Sequence, residues 1–308
     1  MTNVTAGMVK ELRDKTGAGM MDCKAALAET GGELESAVDW LRKKGLAKAA
    51  KKAGRVAAEG LIGVAVAGSS GAIVEINSET DFVARNDIFK AFVKEVAMLA
   101  LETGGDVARL LARKMSSGST VQESVTGLIA KIGENISVRR AAMLSASPGV
   151  VAAYVHNAVA PESGKMGVLV ALRSSADPAM LAALGKQLAM HVAAGAPLAL
   201  TSDDLAEDVI ARERGVQAEL ARQSGKPENV IAKMVEGRMR KFYEESVLLS
   251  QVFVIDGETP VARVVENAAK DFGVPVEIAG FVRFAVGEGV DKADAGDFAG
   301  EVKAMAGH

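Results

Sequence analysis

Apolar positions along this chain change their spacing several times, and each change marks an element. Met8, Val9 and Leu12 share one face of a helix that Thr5 can cap and Gly17 can end. MMDCKAALAET (20–30) reads as a second helix, closed by Gly31 and Gly32. Leu34, Ala37, Val38 and Leu41 recur at i, i+3, i+4 and i+7, which predicts a third. These three form a compact bundle with a minimal core. The third helix runs into RKKGLAKAAKKAGR (42–55), which holds seven basic residues and no acidic one.

From residue 60 the pattern turns strand-like. GLIGVAV and AIVEIN flank the turn AGSSG, which predicts a β-hairpin. A long helix follows with Ile88, Phe89, Phe92, Val93, Val96, Leu99 and Ala100 on one face. GVVAAYV (149–155) and MGVLVAL then repeat the hairpin around a polar loop, HNAVAPESGK (156–165). The next helix has Asp177 as its cap and Pro178 in its first turn. A shift of 92 positions carries residues 88, 89, 92, 96 and 100 onto Met180, Leu181, Leu184, Leu188 and Val192, and Leu99 onto His191. Two hairpin-plus-helix units imply an α+β fold with a core of two similar subdomains. The stretch 106–147, which contains LIAKIGENISVRRAAML, reads as mostly helical.

Leu205, Val209, Val216 and Leu220 lead to the turn SGKPEN (224–229), after which Ile231, Met234, Val235, Met239 and Phe242 share a face. This is an antiparallel helical hairpin with little apolar material to close its own core, so it is expected to project as an arm. Beyond it come a strand-like SVLLSQVFV (246–254), a helix at about 260–271, a strand-like VEIAGFVRFAV (276–286) and a short helix bearing Phe298, Val302 and Met305. The expected segments are 1–55, 56–147, 148–202, the arm 203–243, the remainder of the second subdomain 244–290, and a C-terminal helical module 291–308.

Composition narrows the function. The 36 basic and 39 acidic side chains nearly balance, so no global field marks a nucleic-acid binder. One cysteine, Cys23, excludes an internal disulfide. The N-terminal segment lacks an apolar signal-peptide region, and the apolar runs are too short to span a membrane. The expectation is a soluble, cytoplasmic protein. The only histidines are His156, His191 and His308, with no pair at metal-ligand spacing. GxxxxGK(S/T), GxGxxG and GxSxG are all absent, which disfavours a hydrolase or other enzyme and implies no cofactor. The basic run 42–55 is a candidate RNA or ribosome patch, but it has no interleaved aromatic for stacking and reads better as a helix end and linker. His191, within an apolar stripe, reads as a core or interface group. His156, in a loop, is freer to face a partner.

One stretch resists this economy. TDFVARN (80–86) joins the first hairpin to its helix. Thr80 or Asp81 capping the helix, with Phe82 and Val83 stapled to the core, would account for it. Yet Ile76 to Ile88 spans twelve positions, whereas Ala171 to Met180 in the second unit spans nine. The first unit spends extra residues here and puts Asp-Phe in them.

TDFVARN closely resembles the TDFVA(K/R)N signature of the translation elongation factor Ts family, and VKELRDKTGAGMMDCKAAL resembles that family's other signature. KKAGRVAAEG, KIGENISVRR, GKMGVLVAL, SGKPENVIAKMVEGRMRKF and FVRFAVGEG resemble further family segments, in family order, from residue 4 to about 290. The resemblance implies a ubiquitin-associated-like three-helix module, a two-subdomain core, a coiled-coil arm and a C-terminal helical module. It also implies guanine-nucleotide exchange on elongation factor Tu, with Asp81 and Phe82, flanked by Thr80 and Val83, entering near the partner's Mg²⁺ site. Arg13 and Lys24 would meet the GTPase domain. Ile132, Gly133, Asn135 and His156 would shape the interface, and His191, Met234 and Val235 are further candidates. No membrane or direct nucleic-acid partner is implied, and the arm leaves open a homodimer or a 1:1 complex. The segment 156–165 departs from the family by being longer than its short form.

Overall fold

The computed structural model describes residues 4–16 and 18–291. Apolar side chains in its strands serve both faces of the sheet, and this sets the architecture. Strands β1 (Glu59–Ala67) and β2 (Ser70–Ser78) form the first hairpin, and β2 pairs on its other edge with β3 (Ile136–Ser145). Strand β5 (Ser163–Arg173) pairs with β4 (Gly149–Ala160) and with β6 (Glu277–Ala285). All pairs are antiparallel, and the halves join where Ile62 and Gly63 of β1 meet Gly164 and Ser163 of β5. The order is β3-β2-β1-β5-β4, with β6 also on β5.

Leu61, Ala72 and Val74 face helices, whereas Ile62, Val64 and Ile73 face the other half of the sheet. There they meet Val151, Leu169 and Ala171 in a shared core. Glycines permit the close approach. A Cβ on Gly71 would lie 2.5 Å from Val151 Cγ1, and one on Gly167 2.6 Å from Ile62 Cγ2. The outer face of the first half is covered by a single turn α4 (Asp81–Ala84) and by α5 (Asp87–Thr103), α6 (Val107–Ala112) and α7 (Val121–Ile132). The second half packs Val168, Val170 and Leu172 under α8 (Pro178–Gly195) and, after the arm helices α9 (Glu207–Arg222) and α10 (Glu228–Ser246), under α11 (Val261–Phe272). The result is helices, sheet, sheet and helices in four layers.

The repeat is more complete than the sequence implied. At a shift of 92, Phe89, Phe92, Val93, Val96, Ala97 and Ala100 match Leu181, Leu184, Gly185, Leu188, Ala189 and Val192, all buried, while Ile88 and Met180 are both exposed. At a shift of 140, Val121, Val125 and Leu128 of α7 match Val261, Val265 and Ala268 of α11, again all buried. Gly133 and Gly273 then end those helices with positive φ, 88° and 71°. Each half also carries a bulge at the same place, between Glu75 and Ile76 and between Ala171 and Leu172. Each unit is therefore two strands, helices and a third strand, with the arm inserted in the second.

Four expectations are corrected. The stretch 106–147 is not mostly helix: only α6 and α7 are, Gly133 stops α7, and β3 follows. Its adjacent Arg139 and Arg140 hide the strand pattern, because the bulge aims both at buried Glu75. The polar segment 156–165 is mostly strand, with only Pro161 and Glu162 outside β4 and β5; His156 and Asn157 are exposed on β4, whereas Ser163 is buried and Lys165 pairs with Glu59. SVLLSQVFV is no strand but a 3-10 turn, Leu248–Ser250, with isolated bridges, since Leu248 and Phe253 sink together into the second helical core. The arm does close its own core, around Ala221, Ile231, Val235 and Met239. Its α9 uses small Ala218 and Ala221 to approach α10, leaving Val216 and Leu220 exposed.

The N-terminal helices α1 (Ala6–Thr16), α2 (Met20–Glu29) and α3 (Leu34–Lys52) surround Leu12, Cys23, Ala26, Leu27 and Ala37. Thr5 Oγ1 accepts from Met8 N at 3.3 Å, the expected cap. Gly17, and the predicted helix with Phe298, Val302 and Met305, lie outside the described residues. Among the described residues no helix is long and apolar enough to cross a membrane.

Candidate functional site

The matched bulges put Ile76 opposite Leu172, and the matched helices put Ile88 opposite Met180. The crossing thus takes twelve positions in the first unit and eight in the second. The excess of four is the length of α4. Within that turn Val83 and Ala84 are buried in the core, and Asn86 rather than Thr80 caps α5 by accepting from Ile88 N at 2.9 Å. Phe82 points the other way and is 74% exposed. Asp81 is half-exposed, with its carboxylate 3.5 Å from Arg85.

The turn is held by polar ties. Thr80 donates twice to Glu134, from N to Oε2 at 2.9 Å and from Oγ1 to Oε1 at 2.6 Å. Glu79 Oε1 accepts from Asn135 N at 2.6 Å, and its Oε2 lies 3.4 Å from Arg55. Asn135 Nδ2 donates to the Arg55 carbonyl at 2.8 Å. Gly133, whose left-handed conformation turns the chain out of α7, accepts on its carbonyl from Lys52 at the end of α3. In the second unit the positions of Glu134 and Asn135 carry Val274 and Pro275. The same strand-to-helix crossing forms there without these ties.

The predicted residues divide accordingly. Thr80, Asp81, Phe82 and Val83 come together with Gly133 and Asn135, but Val83 and Asn135 are buried, so they support the turn and only its outer face is open. Ile132 is half-buried against the first core. His156 is exposed on β4, its Nδ1 3.0 Å from Tyr154 Oη. Arg13 and Lys24 are exposed on the helical module, remote in sequence from the turn. Met234 is half-buried on the arm. Two placements are corrected: Val235 belongs to the arm's core, and His191 is buried between α8 and the segment after α10, so neither presents its side chain to a partner.

Nothing local in the sequence marks Glu134, Glu79 and Arg55 as supports of the turn. Charged residues beside a helix end read as solvated ones, and their partners lie far along the chain. Met20 and Met21, at the start of α2, are 60% and 75% exposed.

The basic run is largely committed inside the chain. Arg42 pairs with Glu123, Lys44 and Lys48 with Asp22, Lys52 with the Gly133 carbonyl and Arg55 with Glu79. Hydrogen bonds from Lys44 and then Lys48 hold the Asp22 carboxyl below its ordinary pKa. Most of the run is also helix, and Gly45 faces α7 closely enough that a Cβ there would lie 3.6 Å from the Ala130 methyl. It is less a linker than a brace between α3 and the core.

These features define an α+β protein that presents a fixed, outward-facing aromatic turn. Among its described residues no cluster of His, Cys, Asp and Glu could hold a metal ion. The elongation factor Ts family model matches residues 79–288. The chain is 59% identical to elongation factor Ts of Rhodospirillum centenum over 308 residues, covering 100% of both chains. It is 60% identical to that of Maricaulis maris, covering 100% of this chain and 99% of the other, and 59% identical to that of Sphingopyxis alaskensis, covering 100% of both. The chain belongs to the elongation factor Ts family, and so stands among the translation elongation factors.

Proposed function

We propose that the chain is a guanine-nucleotide exchange factor for elongation factor Tu, and that the turn bearing Asp81 and Phe82 enters the GTPase near its Mg²⁺ and phosphate site. The observation that carries this reading is Phe82, 74% exposed on a turn whose neighbours are buried or tied. A ring left in water on a rigid support is already ordered for a partner's pocket, so binding it costs little conformational entropy.

An exchange factor must bind the empty GTPase more tightly than the GDP-bound one, and by linkage GDP then weakens the factor's binding by the same ratio. Burying Phe82 only in the partner's open state supplies about 1.5–3 kcal/mol, or roughly 10- to 150-fold. Asp81, held only by an exposed arginine, is free to compete for groups ordered around Mg²⁺. One ring is not enough for a tightly held nucleotide. The exposed Arg13 and Lys24 on the helical module, His156 on the second hairpin, Ile132 and Gly133 beside the turn and Met234 on the arm are the contacts that add to it. No covalent bond is made or broken, so no catalytic group is required.

The division into a ubiquitin-associated-like module (1–55), two core subdomains (56–147; 148–202 with 244–290), an arm (203–243) and a C-terminal module (291–308) belongs to the same reading, as does a cytoplasmic site of action. If the arm also pairs two copies, the exposed Val216 and Leu220 are its open face. The test is release of a fluorescent GDP analogue from elongation factor Tu. Sub-stoichiometric amounts of this protein should accelerate it, and an unchanged release rate would overturn the proposal.

A further inference from the structure

The Glu134 carboxylate is the part of this site that neither hairpin nor helix requires. Thr80 stands at the position that starts α4, and a threonine there ordinarily accepts from an amide of its own helix. Here its side chain makes no such cap. Its hydroxyl and its amide both donate away from the helix, to the two oxygens of Glu134, at 2.6 and 2.9 Å. Bonds to an ionised carboxylate are the stronger kind, and two of them fix orientation as well as distance. The second unit is the control. Val274 stands at the matching position, the crossing forms without the extra turn, and no phenylalanine is displayed. Glu134 is itself placed by its neighbours: Gly133 binds Lys52 at the end of α3, and Asn135 binds Glu79 and Arg55.

We infer that Glu134 is a positioning residue for the exchange reaction: its grip on Thr80 sets the direction in which Phe82 is presented. The inference rests on the exchange reading given above. Glu134 touches neither nucleotide nor Mg²⁺ and acts through the turn. Without it, the Thr80 amide and hydroxyl turn to water, the first residue of α4 regains backbone freedom, and the partner must order it on binding. Freeing one residue's backbone lowers the competent population by about 5- to 30-fold.

The experiment is stopped-flow release of a fluorescent GDP analogue from elongation factor Tu over a range of factor concentrations. It uses the full chain and its Glu134→Ala, Glu134→Gln, Phe82→Ala and Phe82→Ala/Glu134→Ala variants, with a melting curve for each. Glu134→Ala is expected to lower the release rate per unit factor about 10-fold while keeping a cooperative melt. Glu134→Gln keeps an acceptor for Thr80 and retains most of the rate. In the Phe82→Ala background, removing Glu134 costs less than about 2-fold, because residues that act as one unit are not additive. If Glu134→Ala does not fold, Thr80→Val, which keeps the shape and removes the hydroxyl, must lower the rate in the same Phe82-dependent way. Equal losses in both backgrounds, or a wild-type rate for Glu134→Ala, overturn the inference. Should Phe82→Ala lose rate while Glu134→Ala keeps it, only the role of Glu134 fails; should both keep it, the reading of the turn fails with it.

Discussion

His191 donates from Nε2 to Gln251 Oε1 at 2.9 Å, tying α8 to the segment that follows the arm. Its other nitrogen, Nδ1, accepts from the Val254 amide at 3.2 Å, while Gln251 donates onward to the carbonyls of Gly195 and Glu245. Both ring nitrogens are therefore used by the neutral tautomer. A second proton, on Nδ1, would face the Val254 N–H.

That arrangement predicts a pH dependence. Burial holds the His191 pKa below its ordinary 6.5, with the Gln251 bond pulling weakly the other way. Between the folded-state value and 6.5 the unfolded chain binds more protons, so this contribution to stability is present above 6.5 and lost as pH falls below it. His191→Leu, which installs the residue of the first unit, strands Gln251 Oε1 and the Val254 amide and should cost about 1–3 kcal/mol at neutral pH. Urea denaturation should show the gap between wild type and variant narrowing as pH falls below 6.5. A constant gap would contradict it.

The contact between the two sheet halves predicts a second outcome. An alanine at Gly167 would set a methyl 2.6 Å from Ile62 Cγ2 and 3.1 Å from Val64 and Ile73. Overpacking of this kind costs about 1–3 kcal/mol. The urea midpoint of Gly167→Ala should fall accordingly, and an unchanged midpoint would mean that the halves do not meet there.

Glu75 predicts a third. It is fully buried and accepts from Asn77 at 3.0 Å, Arg139 at 3.1 Å, Arg140 at 2.5 Å and the Gly287 amide at 2.8 Å. Removing one partner of a buried charge cluster costs about 3–5 kcal/mol. Glu75→Ala should therefore be strongly destabilised, and hydrogen exchange at the Gly287 amide should speed up before the global transition. Retained protection at Gly287 would show that the C-terminal strand end is held by something else.

Much of the fold was legible because the repeat is written in apolar positions: Phe89 with Leu181 and Val96 with Leu188 are visible in the chain itself. The third strand of the second unit, β6, was legible as VEIAGFVRFAV; that of the first unit was not. In β3 the alternation is broken by Arg139 and Arg140, whose reason lies 64 and 65 positions away in Glu75. The aromatic turn was legible too, since it is surplus against its own repeat. Its supports were not, because Thr80 and Glu134 are 54 positions apart and nothing local marks either as half of a pair. His191 and Val235 were placed on partner surfaces by resemblance alone, whereas their apolar stripes already indicated burial.

The central claim is that Phe82 is displayed for a GTPase and does not hold this chain together. Its most direct test is the rate of fluorescent GDP release from elongation factor Tu with saturating wild-type protein and with Phe82→Ala, alongside thermal melts of both. Because the ring is 74% exposed, the account predicts a melt within about 0.5 kcal/mol of wild type. It predicts a release rate lower by at least about 10-fold, the value of one buried phenylalanine. A variant that unfolds, or one that releases GDP at the wild-type rate, would contradict it.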